Sequence, residues 1–551
     1  MVIKEYCDDP VYSTVGIRRE YIAETNNKDS PTSDQTNVGA KSHNTKRSKT
    51  EVGLKERHEY DTLCRFTALE QSCPFGSSCK YEHDVAAFFK RKEADIGDMC
   101  PIWKEHGYCP AGLNCRWALS HTNSHNYRLI VKPETEQHPI VEVTTKLNRG
   151  NEIAAAIRKK TYHFEYASWV DELKTNPHPI GALADSEIHK LDFHGKVYIA
   201  PLTTVGNLPF RRICVDFGAD ITCSEMVMCS NLLKSQSSEW ALLRRHPSEK
   251  CFGVQLATGR VEDACAVCEM IRRDLNVDFV DFNTGCPIDS IGRTGAGAGL
   301  LMKVGRMKRI VGGMLSSLDR IPLLVKTRTG DHENTTHRLI PQLQAIRGRT
   351  GARVEGVIIH GRTRQSRYTK TADWEYVKRC ALSEDPSLPG MTFIGNGDVF
   401  DYQSYQHHLE DGILDGIMIG RGALTKPWIC TEIKEKRIWD ISAPERLDMI
   451  HTFVNYGLEH WGSDAQGVDR TRRFLLEWLS FLCRYVPVGI LERPQTINQR
   501  PCHYVGRSEL ETLLGSRNPK DWIHISEMFL GPVDSGFMFI PKHRSNAYTE
   551  Q

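Results

Sequence analysis

Between residues 196 and 424 the chain repeats one pattern. A short continuous apolar run ends in polar residues, and a longer stretch with apolar positions at helical spacing follows it. The runs are KVYIAPL (196–202), ADITCSEM (219–226), CFGVQLA (251–257), VDFVDFNTGC (277–286), PLLVKTRT (322–329), GVIIHGRT (356–363), TFIGNGDV (392–399) and GIMIGRGAL (416–424). Runs that are apolar throughout, rather than alternating with polar residues, belong to strands buried on both faces of a parallel sheet. Eight strand–helix units in about 230 residues predict a closed (β/α)8 TIM barrel of the α/β class.

Beyond residue 428 the strand pattern stops. The stretches IWDISAPERLDMIHTFVNYGLEHWG (438–462), RTRRFLLEWLSFLCRYV (470–486) and PKDWIHISEMFL (519–530) carry apolar residues at helical spacing and predict a C-terminal helical domain. Ahead of the barrel, GNEIAAAIRKKTY (150–162) predicts one helix within a linker. Residues 24–57 are polar and almost free of aromatic side chains, a composition that buries too little apolar surface to offset ordering entropy. The chain therefore reads as a disordered arm (1–57), a Cys/His-dense region (58–126), a linker with a helix (127–190), a barrel (191–428) and a helical domain with a tail (429–551).

Length supports that division. A single core stops growing near about 250–300 residues, so 551 residues imply roughly two to four domains. A net charge of +2 neither requires nor excludes a nucleic-acid partner, because clustering of basic residues is what matters. The KRSK cluster in the arm suits a nuclear address or a weak RNA contact, and its polar surroundings favour a solvated linker. No run long enough to span a membrane is present, and the opening MVIKEYCDDPVYST has no apolar core of a secretory signal. Six of the 18 cysteines fall between Cys64 and Cys115 at regular spacing and most others stand singly in apolar segments, which favours a reducing compartment over a disulfide framework.

Those spaced cysteines form two sets, Cys64-x8-Cys73-x5-Cys79-x3-His83 and Cys100-x8-Cys109-x5-Cys115-x5-His121. Three thiolates and one imidazole are a tetrahedral donor set for zinc, and loops this short have no core of their own, so the metal supplies most of their folding energy. Recurrence of both spacers makes a chance cluster a poor explanation. The spacing resembles tandem CCCH fingers of the RNA-binding type, in which aromatic side chains stack on unpaired bases. Phe66, Phe75 and Tyr81 in the first finger and Trp103, Tyr108 and Trp117 in the second are candidates for that role; each serves equally well as a finger's small apolar core. The last spacer of the second finger is two residues longer than that of the first, which weakens any transfer of base contacts.

In the barrel, chemistry belongs at the C-terminal ends of the strands. The polar residues there are Thr203, Glu225, Gln255, Asn283 with Cys286, Lys326, His360, Asn396 with Asp398, and Arg421. So many hydrogen-bonding groups suit a large polar ligand, and they include no nucleophile–base pair of the hydrolase kind. Glycines after the seventh and eighth runs, with Arg421, suit a phosphate. The stretch Gly295–Gly299 fails the dinucleotide-binding template at Leu300.

Several of these segments together resemble the flavin-dependent tRNA-dihydrouridine synthases. They are KVYIAPLTTVGNLPFRRICVDFGAD, SEMVMCSNLL, DFNTGCPID, VKTRTG, IHGRTRQSRY, GNGDV, IMIGRGAL with PWI, and TRRFLLEWLSFLCRYVPVGILER. The paired fingers make the eukaryotic members the nearest in kind, and DFNTGCP is the most specific segment. The resemblance implies that NADPH (or NADH) reduces FMN, that hydride passes to uridine C6, and that Cys286 protonates C5. It places Pro201, Leu202 and Thr203 along one side of the flavin, with Gln255 and Asn283 at the isoalloxazine edge or the substrate. Lys326 falls near flavin N1 and O2, and His360, Asn396, Gly397, Asp398, Gly420 and Arg421 at the phosphate end. Leu202 stands where many members have Met, a volume-conserving change. Pro501-Cys502-His503-Tyr504 stands where an aromatic pair is common, which puts only local tail contacts in doubt.

The implied partner is tRNA, with messenger RNA left open, and the expected state is a monomer in cytoplasm or nucleus. A uridine within folded tRNA must be extruded, at a cost of a few kcal/mol that binding elsewhere offsets. Arg472, Arg473, Arg484, Arg493 and Arg500 offer a phosphate track for this. Two competing readings are a small-molecule flavin reductase and a non-catalytic RNA-binding protein with a degenerate barrel. The first would lack the C-terminal helices and the DFNTGCP loop; an intact Cys286 and Lys326 oppose the second.

Overall fold

The computed structural model describes residues 14–23, 62–132, 147–148, 150–171, 191–366, 368 and 370–542. Of the disordered arm expected over 1–57, residues 14–23 depart from that expectation, because Val15 and Ile17 are buried against Val486, Ile490 and Tyr504 and give this stretch a core to join; the rest of the arm lies outside the described residues. The chain divides into two compact units, one built from Thr144–Trp439 with Gln495–Arg500 and the other from Thr14–Val143, Asp440–Pro494 and the segment from Pro501 onward.

In the first unit each of the eight apolar runs contributes a parallel strand, and a ninth, two-residue strand follows the second run. They are β1 (Val197–Ile199), β2 (Ile221–Cys223), β3 (Val227–Met228), β4 (Cys251–Ala257), β5 (Phe279–Asn283), β6 (Leu323–Arg328), β7 (Val354–His360), β8 (Thr392–Asn396) and β9 (Gly416–Ile419). Pairing runs in sequence order from β4 to β9, β9 pairs β1, and β1 pairs β2; β2 returns to β4 and closes the ring. The short β3 continues along the same edge of β4 after a break at Ser224–Met226. Ser224 bridges that break, since its amide donates to Gly253 O and its hydroxyl accepts from the Gln255 amide at 3.0 Å.

Two apolar layers follow from alternation along the strands. Tyr198, Ile221, Phe279, Leu324, Ile358, Ile394 and Met418 pack together inside the ring with Phe193, from the segment leading into β1. Their chain neighbours Val280, Phe282, Leu323, Val325, Val357, Ile359 and Phe393 face outward and pack with the surrounding helices, among them Val261–Asp274, Val304–Leu318 and Trp374–Ala381. The Phe279 ring fits inside because β4 carries Gly253 beside it; a Cβ there would lie 2.1 Å from the ring. Helix Ile429–Glu435 also belongs to this unit.

The second unit is helical around Ala443–Trp461, Ala465–Leu482 and Pro519–Leu530, where the sequence pattern places helices. The first starts at Ala443 because Ser442 and Glu445 form a reciprocal capping box and Pro444 occupies its first turn. Asp464 caps the second by accepting from the Gly467 amide at 2.7 Å. Phe453 of one helix packs on Trp478 of the next, with ring centroids 4.7 Å apart. Among the described residues no helix is long and apolar enough to cross a membrane.

Gly253→Ala is expected to lower stability by about 1–3 kcal/mol in urea denaturation, the range for overpacked cores. Phe279→Leu in the same background should recover part of the loss, and the packing account fails if Gly253→Ala alone unfolds like the wild type.

Candidate active site and metal centres

Two residues beyond its apolar floor, the barrel interior becomes polar. Counting by twos from Phe279 reaches Asp281 and Asn283, and from Leu324 it reaches Lys326 and Arg328. From Ile358 and Ile394 it reaches His360 and Asn396. Neighbouring strands are in register here, with Gln255 opposite Asp281, Asn283 opposite Lys326, and His360 opposite Asn396.

These side chains form a directed hydrogen-bond chain. Gln255 Nε2 donates to Asp281 Oδ2 at 2.7 Å, and Asn283 Nδ2 donates to Gln255 Oε1 at 2.9 Å. Asn283 Oδ1 then accepts from the amides of Gly285 and Cys286 at 3.1 and 2.9 Å. The Asp281 carboxylate thus fixes which way each amide points, and the chain ends by holding the loop that carries Cys286. Arg328 holds the same loop from β6, its Nε donating to Gly285 O at 2.8 Å and its guanidinium to Thr363 O at 3.0 Å. Gly297, at φ +58°, lies against Cys286, and a Cβ there would be 2.9 Å from Cys286 O. The glycines that fail the dinucleotide template therefore make room for this loop.

Burial pushes the Asp281 carboxyl up to about 6, opposed by the nearby Lys326 and the Gln255 hydrogen bond. Burial likewise brings the Lys326 ammonium down to about 8, with Asp281 acting against it. Lys326 Nζ donates to Asn396 Oδ1 at 3.3 Å. His360 is held well below its ordinary value by burial and by Arg328, Lys326, Arg362 and Arg421, so its imidazole is neutral. Burial raises the Cys286 thiol, with Arg328 and Lys326 pulling the other way.

The last two strands end in a charge cluster. Asp398 sits in the left-handed region at φ +51°, accepting from Arg362 and Arg421 at 2.6 Å each and from the Ala372 amide at 2.8 Å. Burial alone would raise its carboxyl, and the two guanidiniums bring it below the usual range instead. Arg421 also donates to Asn498 Oδ1 and lies 4.2 Å over the Tyr368 ring. Beside this cluster, at the end of the neighbouring strand β1, Pro201 and Leu202 are half-buried and Thr203 is exposed. The neighbouring Thr204 is buried at φ +77° and donates its amide to Glu225 Oε2 at 2.5 Å, so Glu225 shapes the loop after β1.

In the second unit the Cys/His sets assemble as spaced. Each places its four ligand atoms, from Cys64, Cys73, Cys79 and His83 or from Cys100, Cys109, Cys115 and His121, within 4.8 Å of one another. A zinc tetrahedron with bonds of about 2.3 Å has sulfur–sulfur edges of about 3.8 Å. Cys64 and Cys79 are 3.8 Å apart, and Cys100 and Cys115 are 3.7 Å apart. His121 Nε2 is buried without a hydrogen-bond partner. Both sets fit zinc.

Residues 198–473 match the dihydrouridine synthase (Dus) family, and residues 62–84 match a CCCH-type zinc finger. A tRNA-dihydrouridine(47) synthase [NAD(P)(+)]-like protein of Xenopus tropicalis is 45% identical over 530 residues, covering 89% of this chain and 81% of that one. Its Homo sapiens counterpart is 43% identical over 546 residues, covering 89% and 82%. The chain belongs to the dihydrouridine synthase family.

Within this family fold, the residues expected from the strand ends do gather at one end of the barrel: Gln255, Asn283, Cys286, Lys326, His360, Asn396, Gly397, Asp398, Gly420 and Arg421. The expected arginine track loses one member. Arg472 is buried and donates to Ser526 Oγ at 2.8 Å and to Leu530 O and Gly531 O at 2.7 Å, so it caps a helix end and offers nothing to a phosphate. Arg473, Arg493 and Arg500 are exposed. Asp281, Arg328 and Arg362 join the site without being among the residues expected at the strand ends, although the count by twos along β5 and β6 points to the first two.

Asp398→Ala leaves the fully buried Arg362 guanidinium without its carboxylate and should cost about 3–5 kcal/mol in urea denaturation. Asp398→Asn, which tolerates a left-handed backbone, should cost less; equal losses for the two would contradict this account.

Proposed function

We propose that this chain reduces the C5–C6 double bond of uridine in tRNA to dihydrouridine, at the position 47 in its relatives' names, with NADPH as electron source. The observation that carries the reading is the thiol of Cys286. It stands at the end of a directed hydrogen-bond chain, kept protonated by burial, at the barrel mouth with Gln255, Asn283 and Lys326. FMN, when bound, takes the electrons of NADPH and supplies hydride to uridine C6.

The donor set suits that cofactor. Lys326, with three donors on its ammonium and one acceptor at Asn396, provides charge for the pyrimidine edge of a reduced flavin. Neutral His360 adds a neutral donor, and Arg421 with the glycine amides at 397 and 420 suits the phosphate. Gln255 and Asn283 bind or orient at the other edge. Pro201 and Leu202 line the side that excludes water, and Thr203 borders it.

Cys286 then acts as general acid. Its S–H bond breaks as a C–H bond forms at C5, and the thiolate left behind is favoured by Arg328 and Lys326 before solvent returns a proton. Uracil thus gains one hydride and one proton while NADPH becomes NADP+.

Zinc at both finger sites supports RNA binding through finger one. Phe75 and Tyr81 are 62% and 48% exposed there, whereas Tyr108 and Trp117 of finger two are buried. Trp103 is engaged by Ile130 O and by Lys132 over its ring.

Unmodified tRNA incubated with protein and NADPH should gain dihydrouridine, read by nucleoside mass spectrometry. Cys286→Ala should keep the yellow flavin and lose about 10²–10⁴-fold in rate. Full product from that variant would overturn the assignment, and no product from the wild type would overturn the function. Phe75→Ala and Tyr81→Ala should each weaken tRNA binding by about 1–3 kcal/mol without shifting the unfolding midpoint; unchanged affinity would remove these rings from the interface.

A further inference from the structure

The two fingers are alike in ligand type and opposite in setting. In finger one Cys64 is buried, Cys73 and Cys79 are half-buried and His83 is exposed; in finger two all four ligands are buried. The burial of finger two comes from a part of the chain some 350 residues away. The turn Gly462-Ser463-Asp464, between helices Ala443–Trp461 and Ala465–Leu482, runs against the finger's ligand loops. Arg116 donates its amide to Ser463 O at 2.9 Å, and Cys115 and Asp464 form an antiparallel bridge. Ser463 is 1% exposed, and its Oγ lies 3.0 Å from Cys109 Sγ. His106 Nε2, three residues ahead of Cys109, lies 3.8 Å from Glu459 Oε2 of the first helix.

The longer last spacer of finger two, Arg116–Ser120, takes part in this attachment. Arg116 supplies the bond to Ser463, Trp117 is buried, and Ala118–His121 forms a short turn of helix that delivers the imidazole. Finger one in turn rests on finger two. Asn114 receives the Leu63 amide at 3.1 Å and donates to Leu63 O at 2.9 Å, and Leu63, Ala68, Phe88 and Leu113 share a small apolar cluster.

We propose that finger two is a structural zinc joint, in which the metal held by Cys100, Cys109, Cys115 and His121 fastens the helical hairpin to the finger pair and Ser463 completes the site. With zinc bound, Cys109 is a thiolate and a pure acceptor, so the Ser463 hydroxyl donates to it. A hydrogen bond of this kind orients a ligand and is worth about 10–100-fold in metal affinity. Finger two is then the platform that presents finger one, and its aromatic side chains are spent on the joint instead of on bases. This inference stands on the metal site and the helical hairpin, so it survives or fails independently of uridine reduction.

The test uses the full-length holoprotein, its zinc counted by elemental analysis and its release to excess chelator followed with a colorimetric zinc indicator. Two equivalents should leave in two phases separated by about tenfold or more in rate, because one site is open and the other buried. His83→Ala should remove the fast phase alone and leave the unfolding midpoint in place. Ser463→Ala should accelerate the slow phase by roughly tenfold or more and leave the fast one unchanged. In the wild type, loss of the slow equivalent should coincide with loss of the helical unfolding transition. One shared rate for both equivalents would overturn the proposal. So would a slow phase indifferent to Ser463→Ala, or a helical transition that survives removal of both metals.

Discussion

Asp281, fully buried, and Lys326, half-buried, are opposite charges on neighbouring strands at the level where the barrel interior turns from apolar to polar, and the arrangement above them depends on both. A carboxylate in that position is costly, and proximity to the ammonium with the hydrogen bond from Gln255 offsets part of the cost. Because an ionised carboxylate only accepts, it dictates that Gln255 present its NH2 downward and its carbonyl toward Asn283. Asn283 must then turn its own carbonyl to the backbone of Gly285 and Cys286. One buried charge thereby sets the polarity of three successive groups and the place of the thiol. Removing the ammonium would leave the carboxylate to protonate, and a protonated Asp281 no longer fixes that direction.

Much of this was legible from the sequence, for a physical reason. Parallel strands buried on both faces leave continuous apolar runs, and a side-chain period of two identifies which of their polar residues face inward. Eight runs therefore announce a barrel, and residues such as Lys326, His360 and Asn396 announce its mouth. The spacing of Cys and His reports a metal site directly, because ligand geometry constrains the loop between ligands. What stayed hidden depends on partners distant in sequence. Nothing local marks Arg472 as buried; the amphipathic pattern says that it lies on a helix, and only the end of helix Pro519–Leu530 says what covers it. Likewise Glu225 reads as one more polar residue until the strained backbone of Thr204 supplies its task.

The charge cluster at Asp398 shows why a barrel mouth built for an anion needs an internal anion as well. Arg362, Arg421, Lys326 and Arg328 converge within a region that also holds His360, and together with burial their repulsion of a protonated ring keeps the imidazole neutral. Without Asp398 the first two guanidiniums would face each other with little solvent between them. The carboxylate lets them approach from a left-handed backbone position, which Asp tolerates better than most side chains. Three hydrogen bonds to Asp398 fix it there.

The fingers follow the same logic in a second medium. Loops of this length bury too little apolar surface to hold a fixed position, so zinc gives each finger its internal order but does not by itself place it. Placement requires contacts made by the ligand loops themselves. In finger two these contacts are the Ser463 hydroxyl, the Arg116 amide and a buried Trp117, and they occupy the groups that a base-reading finger would leave open. Finger one docks on Asn114 through the backbone of Leu63 and keeps Phe75 and Tyr81 outward. A ring cannot both close a core and stack on a base. The same metal chemistry therefore yields a closed core where the aromatic residues point inward, and an exposed aromatic face where they point out.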